Sequence, residues 1–195
     1  MIITTSIDET ALLLGQGRII ACPTETFYGL SAAIDKEDAL KRIIDLKGRD
    51  SSKGMIVLVP DMDKAQQLAQ IDEYQMKWLK RLWPGPLSAV LRSRPGGSAL
   101  VCPQGRIALR ISSDDTAKEL VKKAGPITST SANLAGHRPA ETADDICRSG
   151  LKIDACLDRG KTKGKLPSTL VDLTVWPPVI LRQGAIPEAE IYKRA

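Results

Sequence analysis

Three features of the sequence predict an α/β fold. Segments with helical apolar spacing alternate with short apolar runs of strand length, Gly and Pro punctuate most of the changes, and aromatic residues are only 4% of the chain, which leaves an aliphatic core. The expected arrangement is a sheet with helices packed on it.

Ser6-Ile-Asp-Glu9 has the spacing of a capping box, and Ala11 to Leu14 supply the apolar face of a first helix that Gly15 and Gly17 end. Arg18 to Cys22 reads as a strand closed by Pro23, after which Thr24-Glu25-Thr26 opens a polar loop before Phe27, Tyr28 and Leu30. Hydroxyls at a strand end place side chains at the mouth of a sheet; the same residues can equally close a turn. Asp35 to Asp38 can cap a second helix, with Ala39, Ile43, Ile44 and Leu46 on one face and Gly48 as its stop. That stop matters for Lys47 and Arg49. Residues two apart on a continuing helix diverge by about 200°, whereas in an extended segment they share a face. Lys47-Gly-Arg49 is therefore either a two-pronged cationic clamp or a decorated helix end, whose dipole interaction is worth only about 0.3 to 1 kcal/mol. Lys53 follows, then an apolar strand from Met55 to Val59.

Asp61 to Gln70 and Asp72 to Leu82 read as amphipathic helices, the second with Met76, Leu79 and Leu82 as a stripe and Trp78 and Trp83 beside it as core. Trp83-Pro-Gly-Pro86 ends it. Strands at Leu87 to Arg92 and Arg106 to Ile111 flank a flexible turn at Arg94 to Ser98. Arg110, at a strand end, is either a fork for a carboxylate or phosphate or a surface ion pair of little weight. Ser113 to Ala124 reads as a helix, Thr142 to Asp145 starts another, and short strands follow at Ala155 to Leu157, Thr169 to Leu173 and Val179 to Leu181. No repeat or sharp boundary divides the chain, so a single domain over residues 1–195 is expected.

A chain of 195 residues that is 43% hydrophobic can bury a proper core. No apolar run approaches bilayer-spanning length, and the first ten residues lack a basic region followed by an apolar core. A cytoplasmic protein with no membrane partner is expected. Cys22, Cys102, Cys147 and Cys156 form no CxxC pair and have only His137 as a nitrogen partner, which argues against a protein-ligated metal or a disulfide framework. The net charge of +5 favours an anionic partner such as a nucleotide, a phosphate or RNA. It does not separate an enzyme from an RNA-binding module, although no aromatic stacking platform or arginine-rich arm is visible for the latter.

Thr128 to Asn133 is the most unusual stretch: hydroxyl side chains and one carboxamide directly after a buried strand start. If it is extended, Ser129, Ser131 and Asn133 point to one side and Thr128 and Thr130 to the other, a polar row that is either a ligand site or a turn. Gly160-Lys-Thr162 resembles the end of a P-loop but lacks the first glycine, since position 155 is Ala, and no helix can start in Lys163 to Pro167. His137, the sole histidine, would have to serve any Ser-His-Asp triad; in its Gly-His-Arg-Pro context it reads as surface.

Taken in order, Pro23-Thr-Glu-Thr-Phe-Tyr-Gly-Leu30, Leu46-Lys-Gly-Arg49, Trp83-Pro-Gly-Pro86, Ala108-Leu-Arg110, Ser129 to Gly136, Ser168-Thr-Leu-Val-Asp172 and Leu181-Arg-Gln-Gly184 resemble the YrdC-like threonylcarbamoyl-AMP synthase family, in its short single-domain bacterial form (TsaC type). The resemblance spans about Asp8 to Gly184. It implies a twisted, mostly open mixed α/β sheet with a large basic concave cavity. It also implies a nucleotidyltransferase that converts L-threonine, bicarbonate and ATP to L-threonylcarbamoyl-AMP and pyrophosphate, for modification of tRNA. Mg²⁺ would accompany ATP, with no permanent cofactor. A separate tRNA threonylcarbamoyl transferase complex would act downstream, and weak tRNA affinity can coexist with catalysis.

Position by position, the resemblance assigns Lys47, Arg49, Ser131 and Asn133 to the nucleotide phosphates and the catalytic set. Lys53 and Arg182 match further nucleotide contacts; Thr26, Ser129, Arg110 and Ser168 match positions around the threonine. Anionic substrates require converging cations, and hydroxyls suit a threonine. Three positions depart from the pattern: Leu58 stands where some longer relatives carry a histidine, Asp50 where a proline is common, and Ser88 where a threonine is common. The first of these implies a different recognition of threonine at that point. The competing readings are a non-catalytic RNA-binding module and a paralogue that adenylates another carbamate.

Overall fold

The computed structural model describes residues 1–48, 50, 54–134 and 136–193. Within them, short strands assemble into two mixed sheets. The five-stranded sheet runs in the order β1 (Ile2–Thr4), β10 (Ala155–Leu157), β2 (Ile20–Cys22), β3 (Gly29–Ser31), β9 (Thr130–Ser131). Its first two pairings are parallel and the rest antiparallel. The seven-stranded sheet runs β12 (Val179–Arg182), β11 (Thr169–Asp172), β6 (Leu87–Ser93), β7 (Arg106–Arg110), β4 (Ile56–Leu58), β8 (Ile127–Thr128), with β5 (Ala69–Gln70) beside β6.

Helix boundaries follow local chemistry. α1 (Ile7–Gly15) starts at Ser6, whose hydroxyl accepts from the Glu9 amide. The reciprocal half of the predicted capping box is not made, because the Glu9 carboxylate accepts from Thr4 instead. Ile7, Thr10 and Leu14 of α1 are buried and Ala11 and Leu13 pack partly buried against the same cluster, so of the predicted apolar run only Leu12 faces solvent. α2 (Glu37–Lys47) begins at Lys36 without a side-chain cap, not at Asp35, and stops at Gly48 in the left-handed region at φ 52°. α3 (Met62–Leu68) and α4 (Glu73–Leu82) are capped by Asp61 and Asp72, the latter in a full capping box with Gln75. α3 is shorter than its helical spacing suggests, since Ala69 and Gln70 pair with β6 and leave the helix. Asp114 caps α5 (Asp115–Ala124), Thr142 caps α6 (Ala143–Arg148), and α7 (Glu188–Tyr192) closes the described chain.

The main core joins the hidden faces of both sheets to α2 and α4, with Leu30, Leu40, Ile43, Trp78, Leu79, Trp83, Leu87 and Leu109 buried together. A second cluster lies under α1 and α5, where Leu14, Ile20, Leu120 and Ile127 meet. Leu58 belongs to this second cluster, so it supports α5 rather than a polar site. Cys22 and Cys156 are buried; burial pushes their thiols up to about 11 and about 12 respectively, which leaves both protonated and unreactive near neutral pH. Among the described residues, no helix is long and apolar enough to cross a membrane.

Candidate active site

The two sheets meet at Ser129. Ile127 and Thr128 pair with β4 in the seven-stranded sheet, whereas Thr130 and Ser131 pair with β3 in the five-stranded one. This corrects the single extended polar row expected for Thr128 to Asn133. Ser129, Thr130 and Ser131 all line one cavity, Asn133 is tucked behind it, and the Thr128 hydroxyl accepts from the Ala32 amide at 3.0 Å. A chain that changes sheets breaks the two-residue alternation on which the row was argued.

The cavity measures about 880 Å³ and lies against the open face of the seven-stranded sheet. Arg106, Ala108 and Arg110, alternate residues of β7, form its floor, with Val90 of β6 and Leu170 of β11 beside them. Thr24, Thr26 and Gly29 line it as well, as do Ser168, Leu181 and Arg182. Gly29 is needed there, because a side chain would come within 2.7 Å of the Ser129 hydroxyl.

Lys47, at the last position of α2, spans to the 131–133 segment. Its ammonium donates to the Ser131 carbonyl at 2.8 Å and to the Asn133 carbonyl and Oδ1 at 2.7 Å each. Ser131 Oγ donates to the same Oδ1 at 2.7 Å, and Asn133 Nδ2 donates to the His137 carbonyl at 2.6 Å. Lys47, Ser131 and Asn133, far apart in sequence, are therefore one hydrogen-bonded unit whose cation lines the cavity. His137 enters this network only through its backbone, and its side chain is exposed. Arg49 and Lys53 lie outside the described residues.

Arg110 is 3% exposed and is no surface ion pair. Its Nη2 lies 2.7 Å and its Nε 3.1 Å from Glu25 Oε1, and Nη2 also donates to Thr26 Oγ1 at 3.3 Å. The other Glu25 oxygen accepts from Ser112 Oγ. Thr26 Oγ1 in turn meets Thr24 Oγ1 at 2.9 Å, and Thr24 Oγ1 donates to the Phe27 carbonyl at 2.8 Å. The threonines thus close their own turn and also present oxygens to the cavity.

Elsewhere in the cavity lining, Arg182 Nη2 donates to the Ser168 carbonyl at 2.9 Å and to Ser168 Oγ at 3.1 Å. Ser88 Oγ lies 2.9 Å from Ser168 Oγ, so serine serves where the family pattern has threonine. Arg106 pairs with Asp172 at 3.6 Å.

Sequence reasoning missed Glu25 and its tie to Arg110; an acidic residue between two threonines before an apolar run was the available signal. It also missed Gly164 and Gly184, which hold the walls. A Cβ on Gly164 would stand 2.3 Å from the Thr26 carbonyl oxygen, and one on Gly184 2.3 Å from that of Pro167. Gly164→Ala is expected to destabilise the fold by about 1 to 3 kcal/mol through overpacking. The clash falls on Glu25 and Thr26, and thermal melting reads the loss.

A family model, Sua5/YciO/YrdC, described as telomere recombination, matches residues 12–184. The threonylcarbamoyl-AMP synthase of Pyrococcus abyssi is 36% identical over 182 residues, covering 91% of this chain and 54% of that protein. The enzyme of that name from Pseudoalteromonas atlantica is 39% identical over 161 residues, covering 77% of this chain and 85% of the relative. The crystal structure of P. abyssi Sua5 complexed with L-threonine superposes with a TM-score of 0.90 at 30% identity, over 99% of this chain and 61% of that one. The chain therefore spans about half the length of the Pyrococcus relative. With the matched region enclosing the cavity and every described residue that lines it, the chain belongs to the Sua5/YciO/YrdC family.

Proposed function

We propose that the cavity makes L-threonylcarbamoyl-AMP and pyrophosphate from L-threonine, bicarbonate and ATP, the intermediate being destined for threonylcarbamoyladenosine in tRNA. The observation that carries this reading is the convergence on one cavity of the Lys47–Ser131–Asn133 unit, Arg110 with Thr26, and Arg182 with Ser168. A cavity of about 880 Å³ is large enough for a nucleotide and an amino acid together. The relatives named for this synthesis support it.

The threonine amine attacks the bicarbonate carbon, a C–N bond forms as a C–O bond breaks, and water leaves to give a carbamate. A carbamate oxygen attacks the α-phosphorus in line, a P–O bond forms, and the bond to the departing pyrophosphate breaks. Hydrogen bonds to Ser131 and Asn133 hold the Lys47 ammonium, so its charge acts from a fixed position on the negative charge that develops on the phosphates. Ser131 and Asn133 orient the phosphates and Arg182 contacts them, roles that Arg49 and Lys53, outside the described residues, would share. Arg110, Thr26, Ser129 and Ser168 receive the threonine. Arg110 keeps one edge on Glu25 and offers the rest of its guanidinium to the threonine carboxylate.

Mg²⁺ bound to ATP would neutralise phosphate charge. No carboxylate is among the described residues that line the cavity, and Glu25 and Asp172, which pair with the lining residues Arg110 and Arg106, are already engaged, so its ligands fit phosphate oxygens and water. The catalytic unit comprises residues 1–195, works in the cytoplasm and hands its product to a tRNA threonylcarbamoyl transferase complex. The test is pyrophosphate release from ATP. Release is expected only with both threonine and bicarbonate, and more slowly with serine; release that ignores threonine overturns the reading.

A further inference from the structure

The open face of the seven-stranded sheet does not end at the cavity. Along β5, β6 and β7, Gln70, Arg92 and Arg106 sit directly across from one another in register, and the last of these is the cavity residue paired with Asp172. Beyond that ion pair lies a second cavity of about 460 Å³, lined by Gln70, Asp72, Gln75, Arg92, Arg94 and Thr174.

Its polar groups fall into two sets. Asp72 and Gln75 are spent on the α4 capping box, Gln75 Nε2 donates to the Leu173 carbonyl at 2.8 Å, and the Thr174 hydroxyl donates to Asp172 at 2.6 Å. Arg92 and Arg94 have no carboxylate partner among the described residues, and only Arg94 Nε is held, by the Gln66 carbonyl at 2.7 Å. Arg92 also stands opposite Arg106, and while Asp172 offsets Arg106, no described carboxylate offsets Arg92, so like charge across the sheet is only partly balanced. An anion at this place would relieve that repulsion.

In the chain segments next to those that line this cavity, the fold brings Tyr74 of α4 against Trp176 of the β11–β12 connection, with ring centroids 4.3 Å apart and planes at 77°. Tyr74 follows Glu73, directly after the cavity residue Asp72, and Trp176 lies two residues past Thr174. The two rings are 45% and 58% exposed, unlike Trp78 and Trp83, which are core. An edge-to-face pair left in water keeps ring faces on which a flat ligand can stack. The sequence does not show this pair, since only the fold brings Tyr74 and Trp176 together.

We infer that Tyr74, Trp176, Arg92 and Arg94 form a second site, outside the proposed catalytic cavity, that takes an unstacked nucleobase carrying a phosphate. The rings supply the stacking surface and the arginines the counter-charge, the combination by which single-stranded nucleic acid is held. A base in a single RNA strand and a free nucleotide share this chemistry.

The test uses the intact chain, an unstructured RNA decamer, the same decamer annealed to its complement, and AMP, each followed by Trp176 fluorescence and by anisotropy of the labelled RNA. The single strand should quench Trp176 and bind less tightly as salt rises. Trp176→Ala should weaken it roughly 5- to 150-fold, the range for loss of one stacked base. Arg92→Ala with Arg94→Ala should reduce the salt slope by about two contacts, with pyrophosphate release unchanged. If AMP alone quenches Trp176 and the single strand binds no better, the site takes free nucleotide, and the shared chemistry stands. Binding that these variants leave unchanged, or a duplex held as tightly as the single strand, would overturn the inference.

Discussion

Lys47→Ala is expected to lower kcat/KM for pyrophosphate release about 10²- to 10³-fold while the protein stays folded. The magnitude is that of removing one preorganised donor or charge from a site where negative charge develops, about 2.7 to 4 kcal/mol. Folding should survive because the Ser131 carbonyl keeps the Asn133 amide at 3.0 Å and Asn133 Oδ1 keeps the Ser131 hydroxyl at 2.7 Å. Activity should fall beyond the lost charge, because Ser131 and Asn133 would no longer be held in place. Lys47→Arg separates the two contributions. It keeps the charge, but a planar fork cannot serve three acceptors that converge on one point, so it should recover only part of the loss. Initial rates at saturating ATP, with melting curves for each variant, check this.

Glu25→Ala should have the largest effect on stability, about 3 to 5 kcal/mol, because it strands the Arg110 guanidinium in a buried setting without its counter-charge. Ser112 would lose its acceptor as well. The reverse change, Arg110→Ala, leaves Glu25 unpaired at a position 15% exposed, where water can reach it more readily. Glu25→Gln preserves shape and one acceptor and should cost less than alanine. Denaturant titration ranks the three. The same series should raise KM for the amino acid more than KM for ATP, since Glu25 holds the arginine proposed for the threonine carboxylate.

Much of the fold was legible because its causes are local. The caps at Asp61, Asp72, Asp114 and Thr142 and the stop at Gly48 act within a few residues, and each appears where the sequence places a helix end or start. The short strands β1, β3 and β5 were not legible: two or three residues carry no measurable alternation, and only their partners make them strands. The change of sheet at Ser129 escaped for the same reason.

In the site, Lys47, Ser131 and Asn133 were grouped through the family resemblance, and the structure joins them by direct hydrogen bonds. The Glu25–Arg110 pair and the Tyr74–Trp176 pair were invisible, because a charge or an exposed ring carries no sequence mark of a distant partner.

The most direct measurement supplies the chain with ATP, threonine and bicarbonate labelled at its carbon, then examines the adenylated product by mass spectrometry. The account predicts an AMP conjugate that contains threonine and the labelled carbon, with one pyrophosphate released for each. An AMP conjugate lacking that carbon, or labelled product formed equally well without threonine, would contradict it.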